Sequence, residues 1–252
     1  MYLLLVILVT VYFAFTTHVP NRMYILSGVL GNLLILTWFI RAFALYSGRK
    51  ISQYSEVIQR ISLKERFFTC FVLPILFYSS LLLFIYFNTS FLMDIVLIVI
   101  ASILLLVLFL NVKSSFKKIY SIEKQTRAIF DFICIASSYM LLSVVIRFGQ
   151  SMLISLPIIA LISIILFWSN IKIHRKEGLS SFTISFLSSI FVAIVCGIFF
   201  DTNIFVVPAV GTLAFYLILS IWNIRFAGKI KLLDYLPPFI YSVIALILIL
   251  KI

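Results

Sequence analysis

The chain has few charged residues for its length. Of its 252 residues, 11% are charged and 64% are hydrophobic, and the mean hydropathy is +1.24. Soluble domains usually carry about a quarter charged residues. This composition excludes an ordinary water-soluble domain, because too little charge is available to cover its surface, and it indicates a protein that folds in lipid.

Cysteine and histidine are also scarce. The three cysteines, Cys70, Cys134 and Cys196, lie far apart and form no CxxC pair, so neither a disulfide framework nor a thiol redox motif is expected. The two histidines, His18 and His174, fall on opposite sides of the membrane in the topology that the charges predict. That separation excludes a two-histidine metal site or an HExxH hydrolase. We therefore expect neither a metal nor a cofactor.

Catalytic sequence motifs are missing as well. The sequence contains no GxSxG, no P-loop, no acidic pair spaced to hold a metal diphosphate, and no lysine within a span that could hold a cofactor. An intramembrane lipid-modifying enzyme is therefore the least favoured of the function classes that the sequence leaves open.

Long apolar runs are what the chain has in abundance. A membrane-spanning helix needs roughly 20 mostly apolar residues, because the hydrocarbon layer is about 30 Å thick and each helical residue rises about 1.5 Å. In lipid, backbone N–H and C=O groups must be paired, and a helix pairs them within one segment. The sequence predicts an all-α transmembrane helix bundle of about nine spans, as a single membrane domain over 1–252 without a soluble domain. The predicted spans are 2–17, 23–46, 67–87, 91–112, 128–147, 151–169, 181–200, 204–224 and 234–250.

The first apolar run could instead be a cleaved secretory signal, which would leave about eight spans. No basic residue precedes the run, and no small-x-small cleavage site lies around Thr16–Asn21. Both features favour a retained span.

Lysine and arginine gather on alternate connections. Of the 20 lysines and arginines, all but Arg22, Arg147 and Lys251 surround the second, fourth, sixth and eighth connections. The positive-inside rule then places the N-terminus in the cytoplasm and the C-terminus outside. The net charge of +12 is thus explained by topology and by attraction of anionic lipid head groups to the cytoplasmic loops, without nucleic acid as a partner. The expected location is the cell membrane, as a multi-pass protein of a bacterial inner membrane.

Three charged residues lie at the predicted outer ends of spans. Asp94 lies a few residues inside the fourth span, and the topology places Arg147 and Asp201 on the same side. Charges at membrane depth are costly and often functional, although none of these is central. One hypothesis is an ion-paired outer vestibule built from Asp94, Arg147 and Asp201. The alternative is that all three are helix-end residues at head-group level.

Small residues recur every four positions in the seventh span. This spacing places them on one stripe, where another helix can approach closely. A helix-packing seam is the favoured interpretation, and a polar permeation path lined by the serines is the alternative. The stripe consists of Ser181, Ser185, Ser189, Ala193 and Gly197.

Two further features predict local structure within spans. Asn32, near Gly28 and Gly31, is expected to make a hydrogen bond to another helix. Pro74, Pro157 and Pro208 predict helix kinks, because proline frees backbone carbonyls that then need partners.

The last third of the chain contains the stretches IFFDTNIFVVPAVGTLAFYLILSIWNIRFAGKI and KLLDYLPPFIYSVIALILI. Their features are a short outer turn, a proline followed by an apolar stretch with Tyr216, a basic inner link, and the pair Asp234-Tyr235 at the start of the last span. In these features the last third resembles a family of uncharacterised polytopic membrane proteins from candidate-phylum bacteria. The resemblance implies a polytopic membrane fold and transfers no activity or site residue.

The sequence leaves three function classes in order. A small transporter or lipid-handling carrier comes first, because little of the chain lies outside the membrane and polar groups gather at the outer ends. A structural or assembly subunit is the alternative, with the stripe of the seventh span docking onto other membrane helices or a second copy of the chain. The lipid-modifying enzyme comes last.

Overall fold

The structure is a computed structural model that describes residues 1–19, 23–46, 67–117, 124–173, 179–228 and 231–251. All regular secondary structure within these ranges is helical, which confirms the all-α prediction. The basic segment from Arg49 to Arg66 and the second histidine, His174, lie outside the described residues.

The described ranges contain nine α-helices and two short helical turns of other types. A π-helical turn, Phe68–Val72, leads directly into the third helix, and a 3-10 turn, Leu232–Tyr235, leads into the ninth. The α-helices are α1 (Tyr2–Thr17), α2 (Met23–Tyr46), α3 (Leu73–Tyr86), α4 (Phe91–Lys117), α5 (Lys124–Arg147), α6 (Met152–Ile173), α7 (Leu179–Ile198), α8 (Val206–Phe226) and α9 (Leu236–Ile249).

Seven helical segments of the described chain are long and apolar enough to cross a membrane. They fall on α2 and on α4 to α9, so the chain has the composition and helix lengths of a polytopic membrane protein. The other two predicted spans are apolar but shorter. α1 has 16 residues, which corresponds to about 24 Å, and α3 has 14 residues after its π turn. The count of about nine spans and the orientation in the membrane remain predictions.

Pro74 lies at the start of α3. A proline has no backbone N–H, and its ring clashes with the carbonyl four residues earlier in a regular helix. The chain forms the π turn Phe68–Val72 immediately before it, and such a turn widens the helical ladder locally. The irregularity that the sequence predicts at Pro74 therefore takes the form of a π turn followed by a regular helix.

The chain divides into two compact units, Met1–Ile133 and Cys134–Ile252, whose boundary falls within α5. In the first unit, α1 packs along α2 and against α4, and α2 packs against α3. In the second unit, α7 packs against α6 and α8, and α8 packs against α9. The prediction of a single membrane domain stays a prediction.

A hydrogen bond between α1 and α3 lies in the core of the first unit. Thr10 donates to the carbonyl of Val6 at 2.6 Å, and its hydroxyl lies 2.9 Å from that of Tyr78. Since the single proton of Thr10 is used on Val6, Tyr78 is the donor of the second bond. Tyr78 is fully buried, and its ring and hydroxyl lie directly against Gly31 of α2. A side chain at position 31 would occupy the same space.

A second hydrogen bond joins α2 to α3. Ser79 donates to Oδ1 of Asn32 at 2.9 Å, and Nδ2 of Asn32 donates to the carbonyl of Gly28 at 3.1 Å. The expected interhelical hydrogen bond of Asn32 is therefore confirmed.

Close packing around Gly211 of α8 marks the core of the second unit. A Cβ atom there would meet Sγ of Cys196 on α7 and come within 2.9 Å of Leu142 on α5. Nearby, the rings of Phe167 and Phe215 lie 4.2 Å apart between centroids. These contacts bring helices together at distances that depend on small residues.

Candidate functional site

Asp94 is a fully buried carboxylate whose two oxygens both accept hydrogen bonds. Nδ2 of Asn88 donates to Oδ1 at 2.7 Å, and Nε2 of His18 lies 2.8 Å from Oδ2. The His18 ring stands edge-on to Phe91, with 5.8 Å between ring centroids. Because an unpaired buried charge is costly, these two bonds are what allow Asp94 to be buried.

Three separate elements supply this cluster. His18 directly follows α1, Asn88 lies in the short link after α3, and Asp94 is in the first turn of α4. A carboxylate is favoured at a helix N-terminus and an imidazolium at a C-terminus by the helix dipole. An ionised carboxylate can only accept, so the bond to Asp94 requires the proton of His18 on Nε2.

The other two residues of the vestibule hypothesis lie in the second unit. The Arg147 guanidinium lies over the ring of Phe205, 5.6 Å from its centroid, and Asp201 is exposed in the turn before α8. The three-residue vestibule remains a prediction. The structure shows His18 and Asn88 as partners of Asp94, and neither residue was part of the vestibule hypothesis.

The three serines of the small-residue stripe on α7 are buried, and two of them are bonded to their own helix. Ser185 donates to the carbonyl of Ser181 at 2.8 Å, and Ser189 donates to that of Phe186 at 2.7 Å. Ser181, Ser185 and Ser189 are each at most 1% exposed. Since the hydroxyl protons of Ser185 and Ser189 are used on backbone carbonyls, those two side chains are poor donors for a permeating solute.

The C-terminal end of the stripe faces α6 of the same chain. A Cβ atom at Gly197 would lie 3.1 Å from Met152 and 3.3 Å from Leu156. Ala193 is 9% exposed. At these positions the stripe is occupied by contacts within the chain, which leaves little free surface there for docking another subunit.

The first unit contains a large apolar groove between α2 and α3, which we call the α2–α3 groove. Its volume is about 690 Å³, which lies within the range of about 300–1,000 Å³ typical of small-molecule sites. The one hydroxyl in its lining, that of Ser79, is bonded to Asn32. The lining residues are Leu36, Ile40, Phe43, Ala44, Phe67, Phe71, Val72, Ile75, Leu76 and Ser79.

A second recess opens beside the same part of α2, and we call it the Arg41 recess. It has a volume of about 580 Å³ and is lined by residues of α1, α2 and α4. Ala44 borders both this recess and the α2–α3 groove. The lining residues are Tyr2, Trp38, Arg41, Ala42, Ala44, Leu45 and Phe109.

Arg41 is the charged residue of this second recess. Its Nη1 donates to the hydroxyl of Tyr2 at 2.7 Å, and its Cζ lies 5.8 Å from the centroid of the same ring. The rings of Trp38 and Phe109 stack next to it, with 4.7 Å between centroids. The recess therefore combines a cation with an aromatic lining.

A smaller recess of about 270 Å³ lies in the second unit among α7, α8 and α9. It is apolar except for Ser242, which is 6% exposed and whose hydroxyl has no hydrogen-bond partner within the described part of the chain. Its size and lining suit a methyl or short alkyl group better than a polar solute.

Within the described ranges, no group of three or more His, Cys, Asp or Glu residues could hold a metal ion. The helices and their lateral recesses define a polytopic helical membrane protein. No protein-family model, curated protein or solved structure matches the chain. The resemblance of the last third to a bacterial membrane family stays a prediction.

Proposed function

We propose that the protein is a lipid-handling carrier that moves phospholipid through the α2–α3 groove. The observation that supports this function is the groove itself, a recess of about 690 Å³ with an almost entirely apolar lining on a helix that fits a membrane span. An acyl chain needs an apolar surface and no hydrogen bonds, which is what this lining offers.

The polar side chains near the groove support a lipid better than a polar solute. The hydroxyl of Ser79, in the groove lining, is bonded to Asn32, whose amide nitrogen is in turn bonded to the carbonyl of Gly28. Hydrogen-bonding groups that are already paired with one another bind a polar solute poorly, because the solute would have to replace those bonds. The carrier therefore fits an apolar cargo, and a water-soluble cargo fits it less well.

A vesicle assay tests the proposal. The full-length protein is reconstituted into phospholipid vesicles that contain a trace of fluorescent phospholipid, and movement of the label between leaflets is followed by chemical quenching from outside. We expect faster movement than in protein-free vesicles. Leu76→Trp, which places a large ring in the groove, is expected to slow this movement.

A matched control uses the same helix and the same substitution. Leu83 is on α3, is 41% exposed, and is not part of the groove lining. Leu83→Trp is expected to leave lipid movement as in the wild type. Movement no faster than in protein-free vesicles, or equal slowing by both variants, would refute a carrier that uses this groove.

A further inference from the structure

Arg41 is a charged residue in an apolar helix, and it has no carboxylate partner in the described part of the chain. It lies in the segment Met23–Leu45, which is long and apolar enough to cross a membrane. Among the described residues, no carboxylate lies within salt-bridge distance of its guanidinium. A guanidinium at membrane depth is costly unless it is paired or reaches the interface.

The hydrogen-bonding capacity of Arg41 is also largely unused. A guanidinium has five N–H donors, and the described chain accepts one of them, through the hydroxyl of Tyr2. The side chain is exposed to the Arg41 recess. The remaining donors can therefore bind an anion from outside the chain.

The surroundings of Arg41 fix its position. Tyr2 holds one end of the guanidinium by a 2.7 Å hydrogen bond and places its ring against the same group. Trp38 and Phe109 stack nearby, and aromatic residues of this kind are enriched at the level of the lipid head groups. The cation therefore lies beside an apolar and aromatic lining, which suits a ligand that has both a phosphate and acyl chains.

We propose that the Arg41 recess is a binding site for an anionic phospholipid, whose phosphate pairs with the guanidinium of Arg41. A planar guanidinium binds phosphate through two parallel N–H bonds. Since Ala44 borders both recesses, a lipid held here has an acyl chain next to the α2–α3 groove. The inference rests on the proposed function and names the lipid class that the carrier takes.

Tyr2 is a positioning residue in this site. Its hydroxyl accepts from Nη1 and limits the rotamers of a long side chain, so less conformational entropy is lost when phosphate binds. Tyr2→Phe keeps the ring and removes that bond. It is expected to weaken lipid binding less than removal of the Arg41 charge does.

Native mass spectrometry of the full-length protein tests the site. The protein is delipidated in detergent and titrated with phosphatidylglycerol or with phosphatidylcholine of the same acyl chains. The wild type is expected to retain phosphatidylglycerol preferentially. Arg41→Gln should weaken phosphatidylglycerol binding by about tenfold and remove the preference, and Arg41→Lys should fall between the two because it keeps the charge without the planar fork.

Arg225 supplies the matched control. It is also an exposed arginine, with its guanidinium 5.8 Å from the centroid of the Trp222 ring, but it does not line the Arg41 recess. Arg225→Gln is expected to leave phosphatidylglycerol binding at the site unchanged. Thermal unfolding of each variant shows whether it is folded. If Arg41→Gln does not fold, the comparison of Arg41→Lys with the wild type still tests the site.

Three results would overturn the inference. They are equal retention of the two lipids by the wild type, equal effects of Arg41→Gln and Arg225→Gln, and displacement of phosphatidylglycerol by inorganic phosphate alone. The proposed function fails separately. Selective binding at Arg41 without lipid movement in vesicles would refute the carrier and leave the lipid site standing. Lipid movement that Leu76→Trp blocks but Arg41→Gln leaves unchanged would support the carrier and refute a role for the Arg41 site in it.

Discussion

Nε2 of His18 and Oδ2 of Asp94 lie 2.8 Å apart, and they join the end of α1 to the first turn of α4. The side chain of Asp94 is fully buried, whereas that of His18 is 27% exposed. Tyr2, at the other end of α1, is bonded to Arg41 near the end of α2. The two ends of α1 therefore make polar contacts with different partners, as expected if α1 crosses the membrane.

The bond between His18 and Asp94 is expected to stabilise the first unit. Asp94→Asn keeps the shape of the side chain but removes the charge that strengthens both of its hydrogen bonds. We expect the free energy of unfolding to fall by about 1.5–3 kcal/mol. Equilibrium unfolding in mixed detergent and SDS micelles measures this change, and a double-mutant cycle with His18→Gln isolates the pairwise part.

The control for this prediction is Asp201→Asn. Asp201 is exposed in a turn, so its replacement is expected to change stability by less than about 0.5 kcal/mol. Additive effects of Asp94→Asn and His18→Gln would show that the two side chains are not coupled in the folded protein.

Gly31 is expected to be intolerant of a side chain because of Tyr78. A Cβ atom on Gly31 would meet the hydroxyl of Tyr78 and lie 2.8 Å from Cζ of the same ring. Gly31→Ala should therefore displace the ring and break the bond from Tyr78 to Thr10. We expect a loss of about 1–3 kcal/mol, measured by the same unfolding assay.

Gly28→Ala is the matched substitution on the same helix. Its Cβ atom would lie 3.3 Å from Phe13 and 3.7 Å from Leu82, which is a much milder contact. Both variants gain the same helix propensity from alanine, so the difference between them reports the clash. The double variant Gly31→Ala, Tyr78→Phe should lose less stability than the sum of the losses in the two single variants. Equal stability of Gly31→Ala and Gly28→Ala would argue against the close contact at Tyr78.

Hydropathy and charge predicted the helices well, because the need to pair backbone groups in lipid acts on each segment separately. The bounds of α1 and α2 agree with the prediction, whereas α4 continues past residue 112 to Lys117. Apolar content ends where charge begins, but the helix continues through the first basic residues. The same happens at the start of α5, which begins at Lys124 rather than at the predicted residue 128. A hydropathy window therefore ends too early at the ends of helices that carry basic residues.

The partners of polar residues were harder to predict. An apolar helix has little difference between its faces, so the sequence does not fix how α4 is rotated toward its neighbours. The predicted topology groups Asp94 with Arg147 and Asp201 only because all three lie on the same side of the membrane. The structure pairs Asp94 with His18. Asn32 was predictable because a lone amide in a span needs a partner on another helix, although the sequence did not identify that partner as Ser79.

The packing of α8 against α7 is expected to depend on Gly211. A Cβ atom there would meet Sγ of Cys196 and lie 2.9 Å from Leu142, so Gly211→Ala should overpack this core and cost about 1–3 kcal/mol. Cys196→Ala removes the sulfur and should restore part of that loss. A rescue test by thermal unfolding checks this pair, and no recovery in the double variant would contradict a clash with Cys196.

The small-residue stripe of α7 either packs within the chain or docks another subunit, and substitutions at the stripe distinguish the two roles. Ser189 is fully buried within the chain, so Ser189→Leu is expected to overpack the second unit and destabilise the protein by about 1–3 kcal/mol or more. Thr183→Leu is the control, because Thr183 is on the same helix but exposed, and it should have little effect.

Unfolding in detergent and native mass spectrometry together distinguish the two roles of the stripe. Loss of stability with Ser189→Leu, and not with Thr183→Leu, supports packing within the chain. Unchanged stability together with loss of a larger complex would show instead that the stripe docks another subunit. The second result would favour an assembly subunit over a carrier, because a surface needed for docking must be free in the isolated chain.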